Sequence, residues 1–146
     1  MMTLQAISDR LEIQQLAVDY AHAIDARDFD LLDDVFLPDA FIDYRAVGGL
    51  HGRYPEIKQW LKEVLTPVPT YQHLVGNFDL RIDGDTGRGR IMCFNPMGVP
   101  APQTPAGVRL VFYGVWYVDT YARTPNGWRI ATRSEDKAFD PAGTGQ

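Results

Sequence analysis

The sequence predicts an α+β fold: a cone-like, curved, mainly antiparallel β-sheet with three helices in the N-terminal half, enclosing a cavity. Two observations carry this expectation. Apolar residues recur at three- and four-residue spacing in the first part of the chain and at two-residue spacing from Tyr71 onward, so helices and strands are segregated along the sequence. The strands then follow one another through turn sequences, which makes them antiparallel neighbours. A long curved sheet with helices on one side leaves a conical hollow whose open end suits a small molecule. The chain has 146 residues, 45% of them hydrophobic, which suits one domain over 1–146 with a real core.

In chain order, Ser8 is placed to cap a first helix beginning at Asp9, an acidic residue suited to a positive helix end. Ile13, Leu16, Ala17, Tyr20, Ala21 and Ile24 form its apolar stripe. "ARDFDLLDDVFLPDA" restarts a helix, with Asp28 or Asp30 near the cap, Leu31, Leu32, Val35 and Phe36 facing inward, and Pro38 ending it. "AFIDYRAV" is a strand and "GGLHG" a turn. Pro55 opens a third helix, where its missing N–H costs nothing, and Ile57, Trp60, Leu61, Val64 and Leu65 make its buried face. Strands follow at about 71–82, 88–95, 107–123 and 127–135. "DGDTG" joins the first two, and an Asn126-Gly127 hairpin turn joins the last two. "NPMGVPAPQTP" reads as a flexible loop or lid, and 137–146 as a loose tail.

A net charge of −5 with scattered arginines argues against nucleic-acid binding and against a membrane surface patch. No apolar run approaches the roughly 18 residues of a spanning helix, and "MMTLQAISDRLEI" does not read as a signal peptide. The single Cys93 excludes an intramolecular disulfide framework and Cys-based metal fingers. A soluble cytoplasmic protein is expected.

Several side chains stand out chemically. Asp25 lies beside Ala21 at the edge of the first helix's apolar stripe. It is also close to the helix C-terminus, where the dipole disfavours negative charge. It therefore needs a partner, unless it merely caps the next turn through "DARD". His73, in "YQHLVGN", is either an ordinary core or surface histidine or a reactive group, and two-residue alternation points it the same way as Asn77. Tyr44 is either a half-buried strand tyrosine or a hydrogen-bond donor to an oxygen where charge develops. Tyr20 suits the core or the cavity. Arg133 suits an anionic group or the outer surface, Asn77 orients substrate or pins its strand, and Trp116 is a cavity-wall residue and substrate contact. Val111, Tyr113, Val115 and Tyr117 alternate on one strand face, which either lines the cavity or is buried by a partner. "DGDTGRGR" lacks the Glu that completes a calcium loop, and its glycines do not lead from a strand into a helix. His22, His51 and His73 have no metal-ligand spacing. No metal and no cofactor are expected.

"EIQQLAVDYAHAIDARDFDLLDDVFLPDAFIDY", "YQHLVGN" and "YGVWYVDTYARTPNGWRI" resemble the SnoaL-like branch of the nuclear transport factor 2-like superfamily, similar to scytalone dehydratase and hexachlorocyclohexane dehydrochlorinase. The resemblance spans roughly residues 8 to 136. It implies that Asp25 and His73 pair as a catalytic dyad, with Asp25 orienting the ring and His73 acting as base, and that Tyr44, in "IDYR", matches a dehydratase tyrosine. It also implies a dehydrochlorinase-like role for Arg133, and a homodimer or homotrimer assembled through the sheet. The chain departs from both enzymes: Ile24 stands where the dehydratase has a second Tyr, Gly114 near its second His, and Tyr20 where the dehydrochlorinase has Lys. Neither enzyme's own substrate is expected. The resemblance points to a cofactor-independent lyase, most simply a dehydratase, or an isomerase or cyclase, acting on a small, largely apolar cyclic compound. The rival expectation is a non-catalytic small-molecule-binding or scaffold protein of the same fold.

Overall fold

A computed structural model describes residues 1–140. Helix α1 spans Leu4–Asp25, strand β1 Phe36–Asp43, β2 His51–Arg53, helix α2 Tyr54–Leu65 and β3 Thr70–Tyr71. Four long strands follow: β4 Leu74–Asp83, β5 Thr86–Pro100, β6 Val108–Thr124 and β7 Gly127–Phe139. They form one open sheet in the order β2-β1-β7-β6-β5, with β3 and β4 both pairing with the far edge of β5. Among the described residues, only β1 and β7 run parallel. The α+β expectation of a mainly antiparallel sheet with helices on one face holds.

Helix α1 starts a turn earlier than its sequence suggests. Thr3 is the cap, its Oγ1 accepting from the Ala6 N–H at 3.1 Å, while Ser8 lies inside the helix and donates to Glu12. Asp9 is buried rather than terminal. It accepts from Arg123 twice at 2.8 Å and from the Trp128 indole at 3.0 Å, and the Arg123 guanidinium holds its carboxyl well below the usual carboxylate range. The helix is thus tied across the sheet to the β6–β7 hairpin. Ile13, Leu16, Ala17, Tyr20 and Ile24 are all buried, the spacing expected of one helix face. Each large apolar side chain among them contributes about 1.5–3 kcal/mol by leaving water.

The second predicted helix is a 3₁₀-helix, Phe29–Asp34. Arg27, at φ 58°, reverses the chain after α1, and a six-residue stretch is what remains before the sheet begins. Pro38 does not end a helix; it lies in β1, where the register against β7 shifts between Phe36 and Phe41, as suits a residue with no N–H to give the ladder. That strand ends at Asp43, and Gly48, at φ 84°, turns the chain back. The hairpin between β6 and β7 turns through Pro125 and Asn126, one residue earlier than expected, with Thr124 paired to Gly127.

The Pro-rich stretch is mostly strand. β5 continues to Pro100 and pairs with β6 along its whole length, leaving a short loop closed by the Ala101 N–H on the Gly107 carbonyl at 2.9 Å. β7 likewise continues to Phe139, so the supposed tail begins as strand; 141–146 lie outside the described residues. The strand expected at 71–82 is broken at Gln72 and His73. There the Gln72 N–H donates to the Pro96 carbonyl at 3.1 Å. A strand residue presents its N–H and C=O to the same side, so the N–H that Pro96 lacks would have faced this break.

The hollow lies between α1, α2 and the concave face of β5, β6 and β7. Tyr113, Val115 and Tyr117 of β6 line it, so this strand face is the cavity face and not a partner-covered surface. The opposite face carries Leu110 and Phe112, exposed at 55% and 43%.

Candidate active site

The last turn of α1 delivers Tyr20 and Ile24 to one face and Asp25 to its edge. Asp25 holds His73 at two points. Its Oδ1 lies 2.6 Å from His73 Nδ1, and its Oδ2 accepts the His73 backbone N–H at 2.9 Å. The break between β3 and β4 makes this possible, because the His73 N–H is not committed to the sheet ladder. A carboxylate on Nδ1 selects the tautomer with the proton on that nitrogen, leaving Nε2 as the acceptor. The His73 side chain is only 7% exposed and lines a cavity of about 390 Å³, toward the small end of the roughly 300–1,000 Å³ of small-molecule sites. Tyr20 and Tyr71 pack edge-on against the ring, with centroids at 6.3 and 6.1 Å.

Arg27 braces this corner. Its guanidinium donates to the carbonyls of Leu65 at 2.8 Å and Val68 at 2.5 Å, joining the exit of α1 to the exit of α2. It also lies 4.6 Å from the Tyr71 ring centre, a cation–π contact.

The Tyr20 and Tyr44 hydroxyls meet at 2.9 Å in the buried base of the cavity. Burial pushes the Tyr20 phenol up to about 12 and the Tyr44 phenol well above its ordinary value, so both stay protonated and one O–H of the pair is free to donate. Gly49 lets Tyr44 and Trp60 approach: a Cβ there would lie 2.6 Å from the Trp60 ring and 2.9 Å from Tyr44.

Two further polar groups line the hollow without a partner among the described residues. The Asn95 Oδ1 and the Glu135 Oε2 are both shut off from solvent and accept no hydrogen bond. Burial pushes the Glu135 carboxyl up to about 8; the Arg133 cation opposes this, and the Asp119 and Asp43 carboxylates reinforce it. Burial also raises the Cys93 thiol to about 11, which keeps it protonated and a poor nucleophile.

The model of the SnoaL-like domain matches residues 5–134. The chain belongs to the SnoaL-like domain family. It is 56% identical over 139 residues to an uncharacterized protein of Mycobacterium tuberculosis strain H37Rv, covering 95% of this chain and 92% of that one. Among solved structures, a protein of Kribbella flavida superimposes with a TM-score of 0.83 at 22% identity, covering 92% of this chain and 93% of the other. A hexachlorocyclohexane dehydrochlorinase of Novosphingobium barchaimii does so with a TM-score of 0.70 at 16% identity, covering 94% and 92%. At such identities the likeness concerns the fold. Among the described residues, no helix is long and apolar enough to cross a membrane.

Of the residues singled out in the sequence, this SnoaL-like domain brings Asp25, His73, Tyr20 and Tyr44 together and leaves three apart. Asn77 is exposed, at φ 50°, in the β4 bulge between Gly76 and Asp79, with its amide 3.6 Å from Met92 Sδ. Its role is in the backbone, since Asn tolerates the left-handed region, and the bulge breaks the alternation that was to align it with His73. Trp116 lies on the outer face of β6, beneath the Arg90 guanidinium at 4.9 Å. Arg133 is 1% exposed and does not line the cavity. It makes a bidentate pair with Asp119 at 2.8 and 2.7 Å and lies 3.9 Å and 4.4 Å from the ring centres of Tyr117 and Tyr20. It supports the tyrosines from behind.

Glu135 and Asn95 escape a reading of the sequence because "TRSED" looks like a charged rim and "CFNPMG" like the start of a loop. One signal existed: two-residue alternation puts Glu135 on the same face as Arg133, and Asn95 on the same face as Cys93.

Proposed function

We propose that this protein is a cofactor-independent lyase or isomerase, most simply a dehydratase, acting on a small, largely apolar cyclic substrate. His73 Nε2 is the general base, Asp25 orients and stabilises the ring as it becomes imidazolium, and the Tyr20–Tyr44 pair donates a hydrogen bond to a carbonyl oxygen on which charge accumulates. The single observation that supports this reading best is the two-point hold of Asp25 on a histidine at the wall of a mostly apolar cavity. Such proton transfer needs no redox step and no nucleophile. The apolar groups on the outer sheet face fit self-association as a homodimer or homotrimer.

The test is a screen of cyclic hydroxy ketones, following the absorbance of the conjugated enone formed on loss of water. His73→Ala is expected to abolish turnover. Asp25→Asn is expected to lower kcat by about 10²–10⁴-fold while the melting temperature moves little. Undiminished turnover in His73→Ala removes the mechanism. Saturable binding of the ketones with no turnover in the wild-type protein favours the non-catalytic binding role.

A further inference from the structure

Glu135 is the acid that the Asp25–His73 arrangement does not use. It lines the same cavity as His73, but from β7, whereas His73 is held at the β4 edge with β5 and β6 in between. Three strand spacings, at about 4.8 Å each, put the two groups on opposite walls of a concave sheet. The Glu135 Oε2 accepts nothing, and leaving a buried polar atom unpaired costs about 1–3 kcal/mol, more if it is charged.

One buried cation lies near it, outside the cavity lining. No Lys or Arg is among the cavity-lining residues. The nearest, Arg133, is on the same strand. It gives Nε and Nη2 to Asp119, while its buried Nη1 has no partner among the described residues. Its charge offsets only part of the effect of burial on Glu135. The other titratable groups near Glu135 are Asp43 from β1, Tyr20 from α1, Tyr44 after β1, Cys93 from β5, and Tyr117 and Asp119 from β6, with Tyr113 of β6 and His73 further along the same cavity. Burial, with the Asp119 and Asp43 carboxylates, favours the protonated acid against the Arg133 cation. A carboxyl kept neutral in an apolar site is a hydrogen-bond donor and a proton donor at neutral pH.

We propose that Glu135 is the proton donor of this cavity, a neutral carboxylic acid that gives its proton to the hydroxyl oxygen of an uncharged cyclic alcohol. The assignment rests on the base role of His73 only for the direction of the reaction. In that reaction His73 Nε2 takes the proton from carbon and the C–H pair forms the new C=C bond. The C–O bond breaks, and its oxygen leaves as water carrying the Glu135 proton. The imidazolium and the carboxylate so formed are reset by one proton passing through water, so atoms and charge balance without an oxidant or a metal.

Carboxyl NMR of the full-length protein labelled with ¹³C at the glutamate side-chain carboxyl tests this without a substrate. The chain has four glutamates, Glu12, Glu56, Glu63 and Glu135. One signal is expected to titrate near pH 8, to vanish in Glu135→Gln, and to persist in His73→Ala, so that it reports on Glu135 whether or not His73 is the base. At pH 7, cyclohexanol is expected to shift that signal and cyclohexylammonium to leave it in place. Four signals all titrating in the ordinary glutamate range, near 4.3, overturn the proposal, as does a site that takes the ammonium in preference to the alcohol. Where turnover is found, Glu135→Gln is expected to lower kcat by about 10²-fold and to remove a fall in kcat/KM as pH rises through about 8; an unchanged profile counts against the donor role.

Discussion

Arg133 shows how a residue's chemistry depends on neighbours that its own stretch of sequence does not reveal. "ATRSED" offers an arginine for an anion or for the surface. The structure pairs it with Asp119, directly across the β6–β7 ladder, and seals both away from water. Asp119 also accepts the Tyr121 hydroxyl at 3.2 Å. Burying two charges is costly, and the pair holds only because each compensates the other. Arg133→Met is therefore expected to destabilise the fold by about 3–5 kcal/mol, with Asp119 left as an uncompensated buried charge. The double change Arg133→Met, Asp119→Leu is expected to cost less than the single one. Urea unfolding of the wild type and the two variants measures this, and a neutral single variant contradicts the burial of the pair. Asp25, by contrast, was legible as a carboxylate at a helix C-terminus in need of a partner. That His73 is the partner is what the family resemblance implied, since a lone histidine in a strand is more often an ordinary one.

At the scale of elements, the long periodic stretches were readable and the breaks were not. The α1 stripe and the two-residue alternation of β6 survive intact, because burial of one face is what both patterns record. Pro38 and the prolines of β5 misled, since proline ends helices and marks loops in general but is tolerated at a bulge or beside a gap in a ladder. The most consequential break is at Gln72 and His73. A continuous strand there would have committed the His73 N–H to the sheet; instead it is free for Asp25. Asn77 was misplaced for the same kind of reason: a bulge shifts the alternation by one residue, and nothing short of strand pairing reveals it.

For the whole molecule, the sequence left open which face of β6 lines the hollow. The inward turn of Tyr113, Val115 and Tyr117 decides it and leaves Leu110 and Phe112 on the outside, with Phe112 stacked on Phe94 at 5.8 Å. Leu74 and Phe139, exposed at 63% and 46%, extend the same apolar side. Exposed apolar groups gathered in this way mark an interaction surface, and a second copy of the chain is the partner that the family resemblance suggests. Sedimentation equilibrium is expected to give a dimer or trimer that Phe112→Asp converts to monomer. A wild-type protein monomeric throughout the micromolar range rules out this assembly.

The proposed base catalysis requires Asp25 to fix the imidazole of His73 with its proton on Nδ1 and a bare Nε2 facing the cavity. Nitrogen-15 NMR of the imidazole rings reads this directly, and His73 is one of only three histidines. Neutral His73 is expected to carry its proton on Nδ1, and Asp25→Asn to abolish this preference. A neutral His73 protonated on Nε2, with a spectrum indifferent to Asp25→Asn, contradicts it.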